Sequence, residues 1–396
     1  MNTQLQLLKQ EVQAELTHNI LPFWMNQMRD HERGGFYGQI TGDDRLMKEA
    51  PKGAILNARI LWTFSAAYRI LGTPAYLETA TQAKRYLLNH FYDEEREGIY
   101  WEVDCEGNPT HTKKQIYALG FAIYGLSEYH RATGDEEALR YAIRLFEAIE
   151  AHSFDTLRNG YLEAFTADWQ LIEDMRLSDK DENEKKTMNT HLHILEPYAN
   201  LYRVWKDPRL AQQLRNLIEL FIERILDPET HHLNLFFDEE WQHKHTIYSF
   251  GHDIEASWLL HEAALVLGDA DLLAKVEPII QQIAVAAEEG QLANGGMIYE
   301  YVPQSRHTDS ELHWWVQAEN VVGHLNLYQH FQNEQALQIA IRSWQFIQKH
   351  LIDNVNGEWH WSVYLDGAIN RHDDKAGFWK CPYHNGRMCL EIIERF

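Results

Sequence analysis

The sequence predicts an all-α protein, an (α/α)6 barrel of six inner and six outer helices with short β-hairpins at one end. Three observations support this fold class. Short aromatic-rich segments recur six times, two helical patterns separate successive segments, and one of the two helices is apolar on nearly all sides while the other is amphipathic. A helix that is apolar all round has to be buried on every side, which a closed ring of helix pairs achieves.

The recurring segments are strand-like, with markers spaced 63, 62, 72, 64 and 61 residues apart. These markers are Gly35, Gly98, Gly160, His232, Gly296 and Gly357. Turn sequences such as Glu106-Gly107-Asn108 and Asp366-Gly367 follow some of them, which is typical of small hairpins. An open α-solenoid is the alternative, but its repeats are usually shorter, about 33–47 residues.

Each repeat contains one apolar and one amphipathic helix. Over residues 53–70, Ile55, Leu56, Ile60 and Trp62 lie on different sides of the helix axis, as expected when both faces are buried. Further apolar helices are predicted to start near Gln115, Thr190, Gly251, His313 and Pro382. The amphipathic helices are predicted to start near Leu5, Thr73, Asp135, Pro208, Asp269 and Asn333, four of which are N-cap residue types. No Pro- or Ser-rich linker interrupts the chain, so residues 1–396 are predicted to form a single catalytic domain.

The charge balance argues against polyanionic partners. Asp and Glu number 59 against 36 Lys and Arg, which gives a formal net charge of −23 at pH 7. Nucleic acids and anionic membranes are bound through clustered Lys and Arg, which this chain lacks. The 13 Trp, 19 Tyr, 16 Phe and 22 His instead fit a protein that handles sugars, because aromatic rings stack on pyranose faces, although a large core also uses aromatic residues.

Cysteine usage and the first residues indicate a soluble cytoplasmic protein. Cys105, Cys381 and Cys389 are too few and too scattered for a disulfide framework or a four-ligand zinc site. Residues 1–15 are polar and amphipathic without an apolar signal core, and no run of residues approaches the length of a membrane span. The sequence leaves the oligomeric state open, with a monomer favoured.

In a closed ring, the hairpin-side ends of the six inner helices converge on one opening. Each repeat places one residue at nearly the same position relative to its helix start, and these residues are Arg59, Tyr117, His193, His252, Trp315 and His384. A single histidine in an apolar helix is usually a core residue, but three at equivalent positions beside an arginine indicate a site. Histidine titrates near neutral pH and can both take and return a proton there. The ring therefore predicts acid–base chemistry.

Carboxylates and tryptophans near these positions extend the predicted site. Glu255 lies three residues after His252 and Glu319 four after Trp315, so each shares a helix face with its partner. A carboxylate next to a histidine holds the orientation of the ring and raises its basicity. Trp315 and Trp379 are candidate platforms for sugar stacking, with plain packing as the alternative.

Motifs for metal, nucleotide and serine chemistry are absent or incomplete. His191 and His193 lie two residues apart and do not share a helix face, and the segment at His261 lacks the second histidine of a zinc protease because position 265 is Leu. No P-loop, Gly-x-Gly-x-x-Gly or Gly-x-Ser-x-Gly occurs. We therefore expect no metal and no cofactor. The charged segment 173–186 is predicted to be a solvated loop or a mobile loop at the rim of a cavity.

Five segments combine these features, at residues 53–64, 188–193, 249–260, 313–319 and 378–387. They include Asn57-Ala58-Arg59, Phe250-Gly251-His252 and Pro382-Tyr383-His384-Asn385-Gly386-Arg387. Together they resemble the N-acylglucosamine 2-epimerase superfamily, and within it most closely the cellobiose 2-epimerases, over essentially the whole chain. The resemblance implies the same barrel and a reversible, cofactor-independent epimerisation at C2 of the reducing-end glucose of β-1,4-linked disaccharides, which converts cellobiose to glucosyl-mannose and lactose to epilactose.

The resemblance also implies roles for individual residues. His252 and His384 would be the general acid/base pair, with His193 assisting and Arg59 holding the reacting oxygens. The residues that would line the sugar site are Tyr117, Asn189, Glu255, Trp315, Glu319 and Trp379, and Asp181 in the charged loop would contact the second sugar. Removal of the C2 proton beside the free aldehyde gives a cis-enediolate, whose charge a preorganised donor such as Arg59 would stabilise by roughly 3–4 kcal/mol. The sequence does not distinguish the histidine that opens the ring from the one that attacks C2.

Three other functions remain open at this point. An aldose–ketose isomerase of the mannose isomerase type uses the same enediolate but delivers the proton to C1. A glycoside hydrolase often has this barrel, but its chemistry needs two carboxylates about 5–9.5 Å apart, whereas the ring positions carry His and Arg. A noncatalytic sugar-binding protein is compatible with the fold alone.

Overall fold

The computed structural model describes residues 3–178 and 180–396. Within these ranges an inner ring of six helices comprises α3 (Ala54–Leu71), α5 (Ile116–Thr133), α7 (Met188–Val204), α9 (Phe250–Leu267), α11 (Trp314–Phe331) and α13 (His384–Arg395). The outer helices are α1 (Thr3–Glu15), continued through a π-helical turn at Leu16–Ile20 into α2 (Leu21–Asn26), then α4 (Pro74–Tyr86), α6 (Glu136–His152), α8 (Pro208–Leu220), α10 (Ala270–Ala287) and α12 (Glu334–His350). The predicted (α/α)6 barrel is confirmed, and each helix begins within two residues of its predicted start.

The inner helices form a closed ring in chain order. Each inner helix packs against the next one, and α13 packs against both α11 and α3, which completes the circle. The amino-terminal helix α1 packs against α13 and α12, which makes it the outer helix next to α13. Closure distinguishes this fold from the open α-solenoid. No helix of the described residues has the length and apolarity needed to cross a membrane.

Burial of the two helix types follows the sequence pattern. Every residue from Ala54 to Ala67 in α3 is buried, polar ones included, because the helix is surrounded by the cavity, its ring neighbours and the outer layer. The outer helix α8 buries one stripe, at Leu210, Leu214, Leu217, Ile218 and Leu220. An apolar surface all round and a single apolar stripe are the patterns expected for these two environments.

Helix caps agree only in part with the predicted N-caps. The side chains of Asp135, Asp269 and Asn333 accept hydrogen bonds from backbone N–H groups in the first turns of α6, α10 and α12. Thr73 precedes α4 but its side chain makes no capping hydrogen bond, and Pro74 occupies the first turn. The sequence interpretation placed the start of α8 at Pro208 without recognising Asp207, which caps it by accepting from the Arg209 N–H.

Short strands connect the inner helices at one end of the ring. Each sheet pairs a strand that leads directly into an inner helix with a strand that follows the next outer helix, as in β1 (Lys52–Gly53) with β2 (Glu102–Val103). The sheet of β1 and β2 includes β3 (Pro109–His111), and the remaining strands are β4 (Lys114–Gln115), β5 (Ala164–Phe165), β6 (Lys186–Thr187), β7 (Phe236–Phe237), β8 (Tyr248–Ser249), β9 (Glu300–Val302), β10 (His307–Asp309), β11 (Leu312–His313) and β12 (Ser362–Val363). Five of these strands lead directly into α3, α5, α7, α9 and α11 and anchor the amino-terminal ends of those helices at the predicted hairpin end of the ring; they are β1, β4, β6, β8 and β11.

A repeated ion pair holds four of the loops in place. A buried lysine binds an aspartate from the loop after the preceding outer helix, as in Lys52 with Asp30 at 2.9 Å and Lys114 with Asp93 at 2.7 Å. The corresponding pairs elsewhere are Lys186 with Asp155 and Lys375 with Asp353. Each aspartate also accepts backbone N–H groups two and three residues ahead, which fixes the turn. The sequence interpretation did not detect this motif, although the Asp residues recur with the repeat.

Candidate active site

The amino-terminal ends of the inner helices surround a cavity of about 300 Å³ at the hairpin end of the ring. Ten of the eleven predicted site residues line it, namely Arg59, Tyr117, Asp181, Asn189, His193, His252, Glu255, Trp315, Trp379 and His384. The eleventh, Glu319, lies behind His384 and contacts it directly. The expectation that the ring residues occupy nearly the same position in each helix is wrong, since Arg59 and His193 are the sixth residues of α3 and α7 whereas His384 is the first of α13. All six nevertheless reach the cavity, because each lies within the first two turns of its helix.

His384 is held by an ionised carboxylate. Its Nδ1 lies 2.7 Å from Oε1 of Glu319. Burial opposes ionisation of Glu319, but the charge of Arg387 and the contact with His384 outweigh it and lower the pKa of Glu319 to about 2. An ionised carboxylate only accepts hydrogen bonds, so Nδ1 of His384 carries the proton and Nε2 is left with its lone pair. Burial lowers the pKa of His384 to about 3, so the ring is neutral at physiological pH.

His193 is held in the same way on the opposite side of the ring. Its Nδ1 lies 3.1 Å from Oε2 of Glu196, three residues further along α7. Burial opposes ionisation of Glu196, but the charge of Arg387 outweighs it and lowers the pKa of Glu196 below its usual range. The fixed acceptor again leaves Nε2 of a neutral imidazole free, because burial lowers the pKa of His193.

His252 has a hydroxyl partner instead of a carboxylate. Its Nδ1 lies 2.8 Å from Oγ of Ser249 at the end of β8. Burial lowers the pKa of His252 to about 3, and the nearby His193 and His384 act in the same direction. The Trp315 ring contacts both His252 and His384, with centroid separations of 4.8 and 5.6 Å. Two neutral imidazoles from α9 and α13 thus flank one tryptophan of α11.

Arg59 supplies a buried positive charge to the cavity. Its Nη2 donates to the Tyr117 hydroxyl at 2.8 Å and its Nη1 to the carbonyl oxygen of Trp379 at 3.3 Å. The guanidinium lies over the rings of Phe121 and Tyr383, at 4.2 and 4.7 Å from their centroids. Among residues 3–178 and 180–396, no carboxylate lies within ion-pair distance of Arg59. The group is therefore available to a negative charge that develops on a bound molecule.

Aromatic rings form much of the cavity wall. Trp379 meets Tyr117 edge-on at 6.0 Å, and Trp315 meets Tyr299 edge-on at the same centroid distance. Tyr299 in turn stacks on His313 with a centroid distance of 4.2 Å and an interplanar angle of 6°. Flat rings and few charges suit the apolar faces of a sugar. Tyr299 was not selected from the sequence, because it lies in a strand-like segment and not at an inner-helix start.

The charged loop covers part of the cavity. Leu177, Ser178, Lys180 and Asp181 line it, which agrees with the rim-loop interpretation. Asp181 Oδ2 accepts from the backbone N–H and the hydroxyl of Ser178 at 2.9 and 2.7 Å, and burial raises the pKa of Asp181. Asp179 of the predicted loop lies outside the described residues.

Two pairings expected from helix spacing differ in the structure. His252 binds Ser249, not Glu255, because the Glu255 side chain reaches across the ring to Arg387 at 2.7 Å. Glu319 serves His384 and not its helix neighbour Trp315. In both cases the longer side chain finds a stronger partner on a different helix, which spacing along one helix cannot reveal.

Arg387 is the most important residue that the sequence interpretation left without a role. Its Nη2 donates to Glu255 at 2.7 Å and to Glu319 at 2.6 Å, and its Nη1 donates to Glu196 and to the Tyr383 hydroxyl. Its position three residues after His384 on the same helix face was a usable signal.

Glu255, Glu319 and His384 also form a group with the donor atoms of a metal site, all within 4.8 Å of one another. The guanidinium of Arg387 already bonds to both carboxylates of that group. A positively charged side chain between two carboxylates takes the place that a cation would occupy. The donor set therefore fits an arginine, and we assign no metal role to it.

Comparison with known proteins agrees with the fold. Residues 34–386 match the model of the family described as N-acylglucosamine 2-epimerase (GlcNAc 2-epimerase). The chain is 65% identical over 388 residues to a cellobiose 2-epimerase of Bacteroides fragilis, which covers 98% of this chain and 99% of the relative. The solved structure of a cellobiose 2-epimerase from Bacillus thermoamylovorans has a TM-score of 0.95 at 42% identity, covering 99% of this chain and 100% of that one. A D-mannose isomerase structure shares the fold, with a TM-score of 0.85 at 20% identity and 98% of both chains covered. The chain belongs to the N-acylglucosamine 2-epimerase family.

Proposed function

We propose that the protein catalyses the reversible epimerisation at C2 of the reducing-end glucose of β-1,4-linked disaccharides, converting cellobiose to glucosyl-mannose and lactose to epilactose. The enzyme is an isomerase. Its relatives at 65% and 42% identity are cellobiose 2-epimerases, which supports this disaccharide class. The residues around the cavity supply acid–base groups and a cation, as this reaction requires.

The observation that carries the proposal is the pair of imidazoles, of His252 and His384, on either side of Trp315. Epimerisation removes the C2 proton from one face of the sugar and returns a proton to the other face. His252 and His384 come from different helices and both contact Trp315, so one can act as base while the other acts as acid. Their low pKa values keep both rings neutral and able to accept a proton at physiological pH. The imidazole that acts as acid first takes up a proton from solvent, and the imidazole that acts as base releases the C2 proton to solvent afterwards, so both return to the neutral form.

Arg59 and His193 complete the proposed machinery. Once the sugar ring opens, the C2 proton is acidic because it lies beside the aldehyde, and its removal leaves negative charge on the enediolate oxygens. Arg59 has no carboxylate partner in the described part of the chain and can meet that charge directly. His193 contacts Tyr117, with ring centroids 4.9 Å apart, and lies on the same side of the cavity as Arg59. It would assist from there.

The remaining cavity residues would position the disaccharide. Trp315 and Trp379 offer ring faces for stacking, and Tyr117, Asn189 and Glu255 offer polar atoms. Asp181 on the rim loop would contact the second sugar. Glu319 would act through His384, since it does not line the cavity.

Proton NMR of cellobiose with the EDTA-treated protein in D2O tests the proposal. We expect glucosyl-mannose that carries deuterium at C2, because the proton is exchanged with solvent in the enediolate. A fructose-type product would show that the proton is delivered to C1 and would favour the isomerase, and free glucose would indicate a hydrolase. His384→Asn is the matched variant, which should lose turnover while still binding the disaccharide.

We further propose that residues 1–396 act as one catalytic domain, as a monomer, in the cytoplasm. The inner helices from Ala54 to Arg395 close into one ring, which supports a single domain. The three cysteines are unpaired, which suits a reducing compartment. Light scattering of the purified protein tests the monomer, and fractionation of the source cells tests the location.

A further inference from the structure

Behind the cavity wall, with Glu255 in the lining, a buried cluster around Arg387 contains more carboxylates than that arginine can neutralise. Arg387 is fully buried and bonds to Glu196, Glu255 and Glu319, which are all at most 3% exposed. The neighbouring histidines are neutral, as argued above. Three ionised carboxylates around one guanidinium would leave two uncompensated negative charges in a buried space, which is costly unless one carboxyl group takes up a proton.

Hydrogen-bond geometry identifies which of the three takes it. Glu319 accepts from three donors, His384 and Arg387 on Oε1 and the Trp258 indole at 3.0 Å on Oε2. Glu196 also accepts from three donors, which are spread over both of its oxygens. Among the residues that the structure describes, Glu255 accepts from Arg387 alone, on Oε1, and its buried Oε2 has no partner.

We propose that Glu255 is a neutral carboxylic acid in the resting protein and that its Oε2–H donates a hydrogen bond to an oxygen of the bound substrate. Glu255 lines the cavity, and Oε2 is the atom that Arg387 leaves unused. A carboxylic acid at this position is a donor, whereas a carboxylate would repel the enediolate. The substrate contact rests on the proposed function, but the protonation state does not.

The surroundings of Glu255 favour the neutral form. Burial raises the pKa of Glu255 well above its ordinary value, and the charge of Glu319 raises it further. The polar groups that face Glu255 from the other inner helices and the α13 region are Tyr117, Glu196, Glu319, Tyr383, His384 and Arg387. Arg387 opposes the shift, but it also serves Glu196 and Glu319. His384 Nδ1 is 4.0 Å from Glu255, beyond hydrogen-bond distance, so it does not satisfy Oε2.

Infrared difference spectroscopy of the sugar-free protein tests the protonation state. Glu255→Gln should remove a carboxylic acid carbonyl band at neutral pH, and in D2O that band should shift because the group carries an exchangeable proton. The variant should fold normally, because a neutral amide replaces a neutral acid of the same shape. Absence of such a band from the difference spectrum, or a Glu255→Gln chain that does not fold, would overturn the proposal. This measurement needs no substrate and stands even if cellobiose is not turned over.

Kinetics test the donor role by comparing Glu→Gln substitutions at Glu255 and Glu319, which both bond to Arg387. Glu255→Gln keeps an N–H donor, so we expect kcat/KM within about tenfold of wild type. Glu255→Leu removes the donor and should lose about 10²–10³-fold. Glu319→Gln disturbs His384 and should lose about 10²-fold, although it is chemically the same substitution. If Glu255→Gln is as impaired as Glu255→Leu, Glu255 acts as a carboxylate and the proposal fails.

The pH profile gives an independent readout. Because the protonated form is the donor, wild-type activity should fall as the pH rises through the raised pKa of Glu255. An amide does not titrate, so this alkaline limb should be missing from Glu255→Gln. An unchanged alkaline limb in the variant would assign it to another group and contradict the donor role.

Discussion

Two arginines are buried at or near the cavity, and they differ in whether carboxylates surround them. Arg387 on α13 bonds to three glutamates, whereas Arg59 on α3 bonds to a tyrosine hydroxyl, a backbone carbonyl oxygen and the Cys381 sulfur, and to no carboxylate of the described residues. Both are at most 3% exposed. The fold has neutralised one charge and left the other uncompensated. Burial of an uncompensated charge costs folding free energy, which is typical of a group kept for a reaction and not for stability.

The largest expected effect is a loss of stability on removal of Arg387. In Arg387→Met the glutamates lose their shared cation, so we expect the free energy of unfolding to fall by about 3–5 kcal/mol. Urea unfolding followed by circular dichroism measures it. Arg387→Lys should recover part of the loss, since one ammonium keeps the charge but cannot bond to both sides. A fall of less than about 1 kcal/mol in the Met variant would remove the contrast between the two arginines.

The matched change at Arg59 should act on catalysis instead. In Arg59→Met we expect kcat to fall by about 10²–10³-fold, because the enediolate loses its cation. The free energy of unfolding should stay the same or rise, since a buried charge without a counter-ion is removed. Initial rates of epimerisation and urea unfolding of the same preparation give both values. A stability loss as large as that of Arg387→Met would show that Arg59 is structural.

Glu319→Gln tests how a glutamate bonded to Arg387 affects the proposed catalytic histidine His384. The amide can donate to Nδ1 of His384, which would move the imidazole proton to Nε2 and remove the base, so we expect kcat to fall by about 10²-fold. Nitrogen-15 chemical shifts of the labelled histidines report the tautomer. If Nδ1 still carries the proton in the variant and the activity is still lost, Glu319 acts by some route other than the tautomer.

Both arginines also affect the pH dependence. Burial lowers the pKa of His384 to about 3, and the charges of Arg59 and Arg387 act in the same direction; burial likewise lowers that of His252 to about 3. From the ordinary pKa of 6.5 down to about 3, the unfolded chain binds protons that the folded chain does not. Stability therefore falls as the pH falls through this window, by about 1.4 kcal/mol per pH unit for each histidine.

Activity should behave differently from stability over the same range. The folded enzyme keeps both imidazoles neutral, so kcat/KM should stay level on acidification to about pH 5, where free histidine would already be protonated. Urea unfolding measures the expected fall in stability across this range, and initial rates measure whether the activity stays level. His252→Gln should reduce the slope of the unfolding free energy against pH by about 1.4 kcal/mol per pH unit, the contribution of one histidine. A rate that falls with an apparent pKa near 6.5 would show that the imidazoles are not depressed.

The smallest effect concerns the histidine without a carboxylate partner. Ser249→Ala removes the hydrogen bond at Nδ1 of His252, which is worth about 1 kcal/mol, so we expect less than tenfold in kcat. Ser249→Thr is the control, because it keeps a hydroxyl at that position. A loss comparable to that of Glu319→Gln would mean that a hydroxyl anchors an imidazole as firmly as an ionised carboxylate does.

Much of the fold followed from periodicity, which is a local property. The spacing of the markers and the apolar surface of the helix at residues 54–71 were sufficient for the ring of helix pairs, because a helix apolar on all sides has only one kind of environment. Helix caps were less predictable from the sequence, since the cap at Asp207 was missed and Thr73 does not cap α4. Whether a side chain turns back to its own helix depends on the loop that precedes it, and the sequence does not specify that geometry.

The sequence predicted most of the side chains that reach the cavity from the inner helices, but not Tyr299. Arg59 and the three histidines each lie within the first two turns of an inner helix, so ring closure placed them around one opening. The tertiary structure alone decided their partners and charge states. Glu255 accepts a hydrogen bond from Arg387 and not from His252, and Glu319 accepts one from His384 on another helix. Register along a helix is fixed by the chain, but hydrogen bonds and burial across the ring depend on distances between helices, and those distances set the pKa of each group.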